Sequence, residues 1–199
     1  MTGGPAVRLA TSADAAAMAA LHAERIAEGF LVTLGPAFLE RLYARIAVSG
    51  HAFALVADAR DERPRIDGFV AVAESTRALY REFLLHDGLL AGFAATRGIM
   101  HAPREVWETL RYGLGGNASV GGAEILATAV AADRSGQGIA TALVREAVDE
   151  LRRRGIRSAH VVTAAGNDAA VRAYERGGFH ADGHREVHRG VAQQLLVWP

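Results

Sequence analysis

The sequence predicts an α+β domain, an αβα sandwich in which a mixed, mostly antiparallel central sheet carries helices on both faces. Three observations point to it. Two apolar runs, Ala52–Ala57 and Ile66–Ala73, flank a polar turn that begins at Asp58, the pattern of a β-hairpin. The C-terminal third alternates strand-like and helix-like periodicity. A second hairpin, formed by the residues after Phe179 and the run Gly190–Trp198, closes the chain. The 199 residues suit one domain, and 50% of them are hydrophobic, enough for a packed core.

The elements follow in order. Val7-Arg8-Leu9 reads as a short strand, and Thr11 or Ser12 caps a helix running through about Ala27. Gly29 and Gly35-Pro36 mark a loop, and Pro36 suits the first turn of a second helix. There Phe38, Leu39, Leu42, Tyr43 and Ile46 recur at helical spacing. Beyond the hairpin, Leu79, Phe83 and Leu84, then Leu89 to Phe93, then Val106 to Leu110 predict two or three short helices, the last begun by Pro103. Gly113 to Gly122 is glycine-rich and reads as a connector. Glu124–Val130 is a mostly buried strand. Gly138–Arg154 is a helix with Ile139, Leu143, Ala147 and Leu151 on one face and Gly155 as its stop. Ala159–Thr163 is a strand, and Asn167–Arg176 a helix stopped by Gly177.

Composition excludes several chemistries. Acidic and basic residues balance at 22 each, so no global basic field holds nucleic acid or an anionic membrane. All 22 basic residues are arginine, which removes Schiff-base lysines and the Walker-type phosphate lysine. The chain has no cysteine, which removes disulfides, thiolate nucleophiles and Cys-ligated metals. The start Met1-Thr2-Gly3-Gly4-Pro5 lacks the basic and apolar regions of a secretory signal, and no window approaches 18 uninterrupted apolar residues. The expectation is a cytoplasmic protein with no nucleic-acid or membrane partner.

The segment Arg134-Ser135-Gly136-Gln137-Gly138-Ile139-Ala140-Thr141 lies between a strand and a helix. Its two glycines let successive N–H groups converge, and the helix start adds orphan donors and a positive dipole end, a site for pyrophosphate. Arg134 is placed to add a charge-assisted contact. A dinucleotide fingerprint fits poorly: its third glycine is Thr141 here, and no acidic residue closes the strand Ala159-His160-Val161-Val162-Thr163. A plain helix-capping loop is the other reading.

Ser135-Gly136-Gln137-Gly138-Ile139-Ala140 resembles the acetyl-CoA motif of the GCN5-related N-acetyltransferase family, Gln/Arg-x-x-Gly-x-Gly/Ala. Serine stands at the first position, with Arg134 one residue earlier. Glu124-Ile125-Leu126-Ala127-Thr128-Ala129-Val130 resembles the family's fourth strand, and Asn167, Tyr174 and Gly177-Gly178-Phe179 its later signature. The N-terminal strand and helices, with Gly29-Phe30-Leu31 and Leu34-Gly35, resemble the acceptor-side half of many bacterial members.

The resemblance implies the acyl-CoA N-acyltransferase fold over 1–199; the helical insertion at about 76–117 departs from the family's usual short connection there, and the expectation is a lid or a homodimer contact that limits acceptor size. The resemblance implies acetyl transfer from acetyl-CoA to an amine of a small molecule or peptide, with no metal; a non-catalytic acyl-CoA-binding module is the alternative. By the same resemblance, backbone groups of Thr128, Ala129 and Val130 hold the pantetheine arm, and Ser135, Gly136, Gln137, Gly138, Ile139, Ala140 and Thr141 hold the pyrophosphate. Asn167 is a cofactor contact, an N-cap, or both. Tyr174 is the general acid on the thioester sulfur or an aromatic anchor of the core. Glu124 is the general base, fourteen residues before Gly138 as in histone-acetylating relatives, or a surface residue at a strand end.

Weaker signals remain. His180, His184 and His188 are spaced by four, but Gly183 points to strand and turn rather than a metal-binding helix face. Arg152-Arg153-Arg154 complements a helix C-terminus. Glu24 and Glu28 either draw a cationic amine inward or form a solvated helix face.

Overall fold

The computed structural model describes residues 5–26, 34–59, 65–94, 121–187 and 191–199. Expectations for Glu28, Gly29-Phe30-Leu31, the helix from Pro103, most of the glycine-rich connector and His188 lie outside them. Strand β1 (Val7–Leu9) leads through a single 3-10 turn (Ser12–Asp14) into helix α1 (Ala15–Arg25). Arg8 pins this corner: it donates to both Asp14 oxygens at 2.8 Å and, through Nε, to Asp58 at 2.9 Å. Asp14 in turn accepts from the Thr11 N–H at 2.8 Å, closing a capping box before α1.

Helix α2 (Pro36–Val48) starts at its proline and buries Leu39, Leu42, Tyr43 and Ile46, the apolar stripe read from the sequence. Strands β2 (Ala52–Asp58) and β3 (Ile66–Ala73) form the expected antiparallel hairpin. Both are apolar on two faces because helices cover each side. Helices α1 and α2 meet Phe69, Ala71 and Ala73 on one face; the other carries Val70 and Val72. Met18, Leu39 and Phe69 are fully buried, and each such side chain contributes ~1.5–3 kcal/mol.

Helix α3 (Thr76–Ala94) is one continuous 19-residue helix where the sequence suggests two short ones. Gly88 lies inside it, a position that weakens a helix by about 1 kcal/mol. Contacts to α2 offset this: Arg45 meets Asp87 at 2.7 Å, and Ser49 donates to Glu82 at 2.6 Å.

Strand β4 (Ala123–Val130) pairs antiparallel with β3, and the pairing contains a bulge. Ala71 opposes Ala127 and Val72 opposes Ile125, so Leu126 has no partner. Simple alternation would put Glu124 and Thr128 on one face. The extra residue shifts the phase, leaving Glu124 on the α1–α2 side with Ala73 and Thr128 on the other with Val70.

Helix α4 (Ile139–Arg153) packs Ile139, Leu143, Ala147 and Leu151 against that second face. Its terminal arginines are ion-paired: Arg152 with Asp149, Arg153 with Glu146 and Glu150, Arg154 with Glu150 and Glu74. Strand β5 (Ala159–Ala164), helix α5 (Asp168–Arg176), β6 (His180–Val187) and β7 (Val191–Trp198) complete the chain. The order is β1-β2-β3-β4-β5-β7-β6, with β4 and β5 the parallel pair. Among the described residues, no helix is long and apolar enough to cross a membrane.

Candidate active site

Strands β4 and β5 pair only at Ala123 with Ala159 and Glu124 with His160. Past Glu124 they diverge, leaving a wedge between 125–130 and 161–164 on the side of the sheet's C-terminal strand ends. Thr128 faces the α4–α5 side, where its buried Oγ1 meets the Tyr174 hydroxyl.

Tyr174, predicted from the sequence, lies on α5 beside Thr128. Burial pushes its phenol above the usual tyrosine value, and the Thr128 hydroxyl opposes the shift. The ring also packs edge-on against Phe179, with centroids 5.9 Å apart, as an aromatic anchor of the core does. Asn167 caps α5: its Oδ1 accepts from the Ala170 N–H at 3.1 Å.

The glycine segment opens beside this wedge. After a 3-10 turn (Ala132–Arg134), Gly136 and Gly138 both sit at φ +79°, in the left-handed region that favours glycine. Gly138 is the N-cap of α4, with no side-chain cap. A Cβ on either glycine would meet nothing within 4 Å. Among the described residues, no backbone carbonyl accepts from the N–H groups of Gly136, Gln137 or Gly138. These exposed donors stand at a helix N-terminus, an arrangement that suits a diphosphate. Arg134 stands behind this loop, its Nε 3.5 Å from the buried Asp67 of β3. Together, the exposed N–H groups of the glycine segment and the wedge where β4 leaves β5 fit a long ligand bearing a diphosphate at one end and an amide-rich arm at the other, as acetyl-CoA does.

On the opposite face of β4 lies a cavity of ≈ 160 Å³ lined by His22, Leu42, Tyr43, Ile46, Leu79, Tyr80, Glu124, Leu126 and Ala127. Among the described residues, Glu124 is the one acidic side chain in this lining, and the Thr76 hydroxyl donates to its Oε2 at 2.7 Å. Tyr80 sits close to it, its phenol pushed up to about 12 by burial and by the nearby Glu124 charge. Burial, with Tyr80 adding to it, also raises the Tyr43 phenol. A 2.5 Å hydrogen bond joins Tyr43 to His22 Nδ1, and burial lowers the His22 pKa, leaving the ring uncharged at neutral pH.

The structure thus brings Glu124 to a cavity and Thr128 and Tyr174 to the wedge. Glu24 is exposed on α1 and does not line the cavity. His22, Thr76 and Tyr80 were not legible as site residues. His22 shares the buried face of α1 with Met18 and Leu21, and that histidine on an apolar stripe was the available signal.

A seven-stranded, mostly antiparallel sheet, split at its parallel pair beside a glycine-built helix start, is the acyl-CoA N-acyltransferase fold. The chain belongs to the acetyltransferase (GNAT) family, whose family model matches residues 46–179. It is similar to a GCN5-related N-acetyltransferase from Kribbella flavida (18% identity, TM-score 0.64, covering 98% of this chain and 96% of that one). It is also similar to NAA60 of Arabidopsis thaliana in complex with acetyl-CoA (17%, TM-score 0.61, covering 97% of each). A third similar structure is the ribosomal-protein-S18-alanine N-acetyltransferase of Escherichia coli (14%, TM-score 0.60, covering 98% and 92%). A comparison with curated proteins finds no match.

Proposed function

We propose that this chain transfers an acetyl group from acetyl-CoA to a primary amine by direct attack of the amine on the thioester. One observation carries the reading: a single strand presents an open phosphate cradle and wedge on one side and a carboxylate-bearing cavity on the other. The family's acetyltransferase membership supports it, as do a neighbour holding acetyl-CoA and another that acts on an alanine of a ribosomal protein.

The N–H groups from Ser135 to Thr141 bind the pyrophosphate, with the dipole of α4 behind them. Backbone groups of Thr128, Ala129 and Val130, freed where β4 leaves β5, hold the pantetheine arm as a neighbouring strand would, and Asn167 keeps α5 in place beside it. Acetyl-CoA, when bound, supplies an activated acyl carbon on a thiol leaving group. A primary amine arrives largely protonated, and Glu124, aimed by Thr76, removes the proton that blocks its lone pair. The new N–C bond forms as the C–S bond breaks. Tyr174, kept protonated by its burial, delivers a proton to the departing sulfur, and the second proton shed by the acetylated nitrogen restores the phenol. The products are the acetamide and coenzyme A.

Titration calorimetry and thermal unfolding with acetyl-CoA, coenzyme A and NAD test the reading. Saturation at 100 times the dissociation constant adds about 2.7 kcal/mol, or roughly 5–10 °C for a chain of this size. Binding of both CoA species and not NAD, followed by amine-dependent release of free thiol, is the expected result. No binding of either CoA species removes the reading, and binding without thiol release from any amine replaces it with a non-catalytic module.

A further inference from the structure

The cavity over Glu124 has a chemistry that the transfer reaction alone does not require. Among the described residues, its polar lining consists of one carboxylate, two phenols and an imidazole that burial keeps uncharged, with no arginine. A ligand entering it with a positive end gains Glu124, while one carrying a carboxylate meets like charge and no cation. Between these polar groups the walls are aliphatic, with Leu42, Ile46 and Leu126 among them. The size is restrictive. A cavity of about 150 Å³ accommodates benzene, so ≈ 160 Å³ leaves room for about six non-hydrogen atoms.

Part of the lining comes from α3. Thr76 donates to the carboxylate at 2.7 Å, and Tyr80, one turn further on, lines the cavity close to it. Below, the cavity reaches the bulge at Leu126 and Ala127, one residue before Thr128 and hence next to the wedge assigned to the thioester arm.

The geometry points to an acceptor of one class: a primary ammonium on an unbranched aliphatic stem of about four or five carbons without an acidic group, with Tyr80 of the inserted helix setting the stem's length and breadth. This inference rests on the acetyltransferase reading for its chemistry, but the cavity's occupant is measurable without turnover.

Two readouts test it on the full chain: binding of n-pentylammonium by calorimetry, and acetyl-CoA-dependent thiol release with n-pentylamine, 5-aminopentanoate and L-norleucine. The expected result is binding, with kcat/KM for n-pentylamine at least about tenfold above either carboxylate-bearing amine. Tyr80→Ala should raise the kcat/KM ratio of cyclohexylmethylamine to n-pentylamine by about 10-fold or more, the usual scale for a pocket remodelled by a few carbons, without changing acetyl-CoA affinity. Tyr80→Phe keeps the ring and should keep the wild-type ratio, which separates shape from loss of folding. Acetylation of L-norleucine ahead of n-pentylamine overturns the inference, as does a ratio unmoved by Tyr80→Ala. Tyr80-dependent binding of n-pentylammonium without thiol release keeps the aminoalkyl site and removes the transfer reading. Absence of both removes both.

Discussion

Gly138→Ala is the sharpest perturbation of the donor half. Gly138 holds φ +79° and ψ +6°, and an L side chain in that region costs roughly 1–2 kcal/mol. Because the new Cβ would meet nothing within 4 Å, backbone strain is the whole effect on the free protein. That corresponds to a fall in Tm of about 2–8 °C. The bound state loses more, because the methyl group stands beside the exposed N–H donors. Losing one or two charge-assisted hydrogen bonds at ~1.5–3 kcal/mol each weakens acetyl-CoA by roughly 10- to 10⁴-fold. Gly155→Ala supplies the control. It lies just past the far end of α4 at φ +76°, also with nothing within 4 Å, and so carries the same strain away from the cradle. Calorimetric titration with acetyl-CoA and parallel melting curves read both terms. Equal affinities in the two variants, or a Gly138→Ala dissociation constant within threefold of wild type, would refute the cradle as the phosphate site.

Two further predictions use the rest of the molecule. Tyr174→Phe should lower kcat by about 10²–10⁴ while leaving acetyl-CoA affinity intact, measured by thiol release and calorimetry; an unchanged kcat assigns the sulfur's proton to another donor. Asp14 is held at about 2, first by its hydrogen bond to Arg8, below the ordinary 3.8. A depressed carboxylate contributes stability above its unfolded value and loses it as pH falls through the folded one, so the loss falls between about pH 4 and pH 2. Arg8 is 43% exposed, and screening reduces the contribution to ~1 kcal/mol. Asp14→Asn should therefore flatten the Tm-versus-pH curve in that window, and a constant Tm gap from pH 5 to pH 2 would count against the pairing.

Much of the donor half was legible in the sequence because it is local. Gly136 and Gly138 declare a backbone conformation, the stripe from Ile139 to Leu151 declares a helix, and the two are adjacent in the chain. Strands β2 and β3 announced themselves as apolar runs bounded by polar residues. The cavity beside Glu124 was not legible because its parts are brought together by packing: His22 from α1, Tyr43 from α2, Tyr80 from α3 and Glu124 from β4. Each looks ordinary alone, and Tyr43 read simply as part of a core stripe. Continuity through Gly88 was also hidden, since the ion pair and hydrogen bond that hold α3 reach it from α2. The bulge at Leu126 leaves no mark on the alternating burial of β4, in which every odd position from Ala123 to Ala129 is buried.

That bulge makes the sheet a partition. With Glu124 on one side and Thr128 on the other, the amine and donor sites proposed above reach the split between β4 and β5 from opposite faces of one strand. Changes around the cavity then need not disturb the glycine segment, and substitutions on the two sides away from the split should add rather than interfere. The cavity is lined by side chains from α1, α2, α3 and β4, whereas the glycine segment offers main-chain N–H groups, which point substitutions seldom alter.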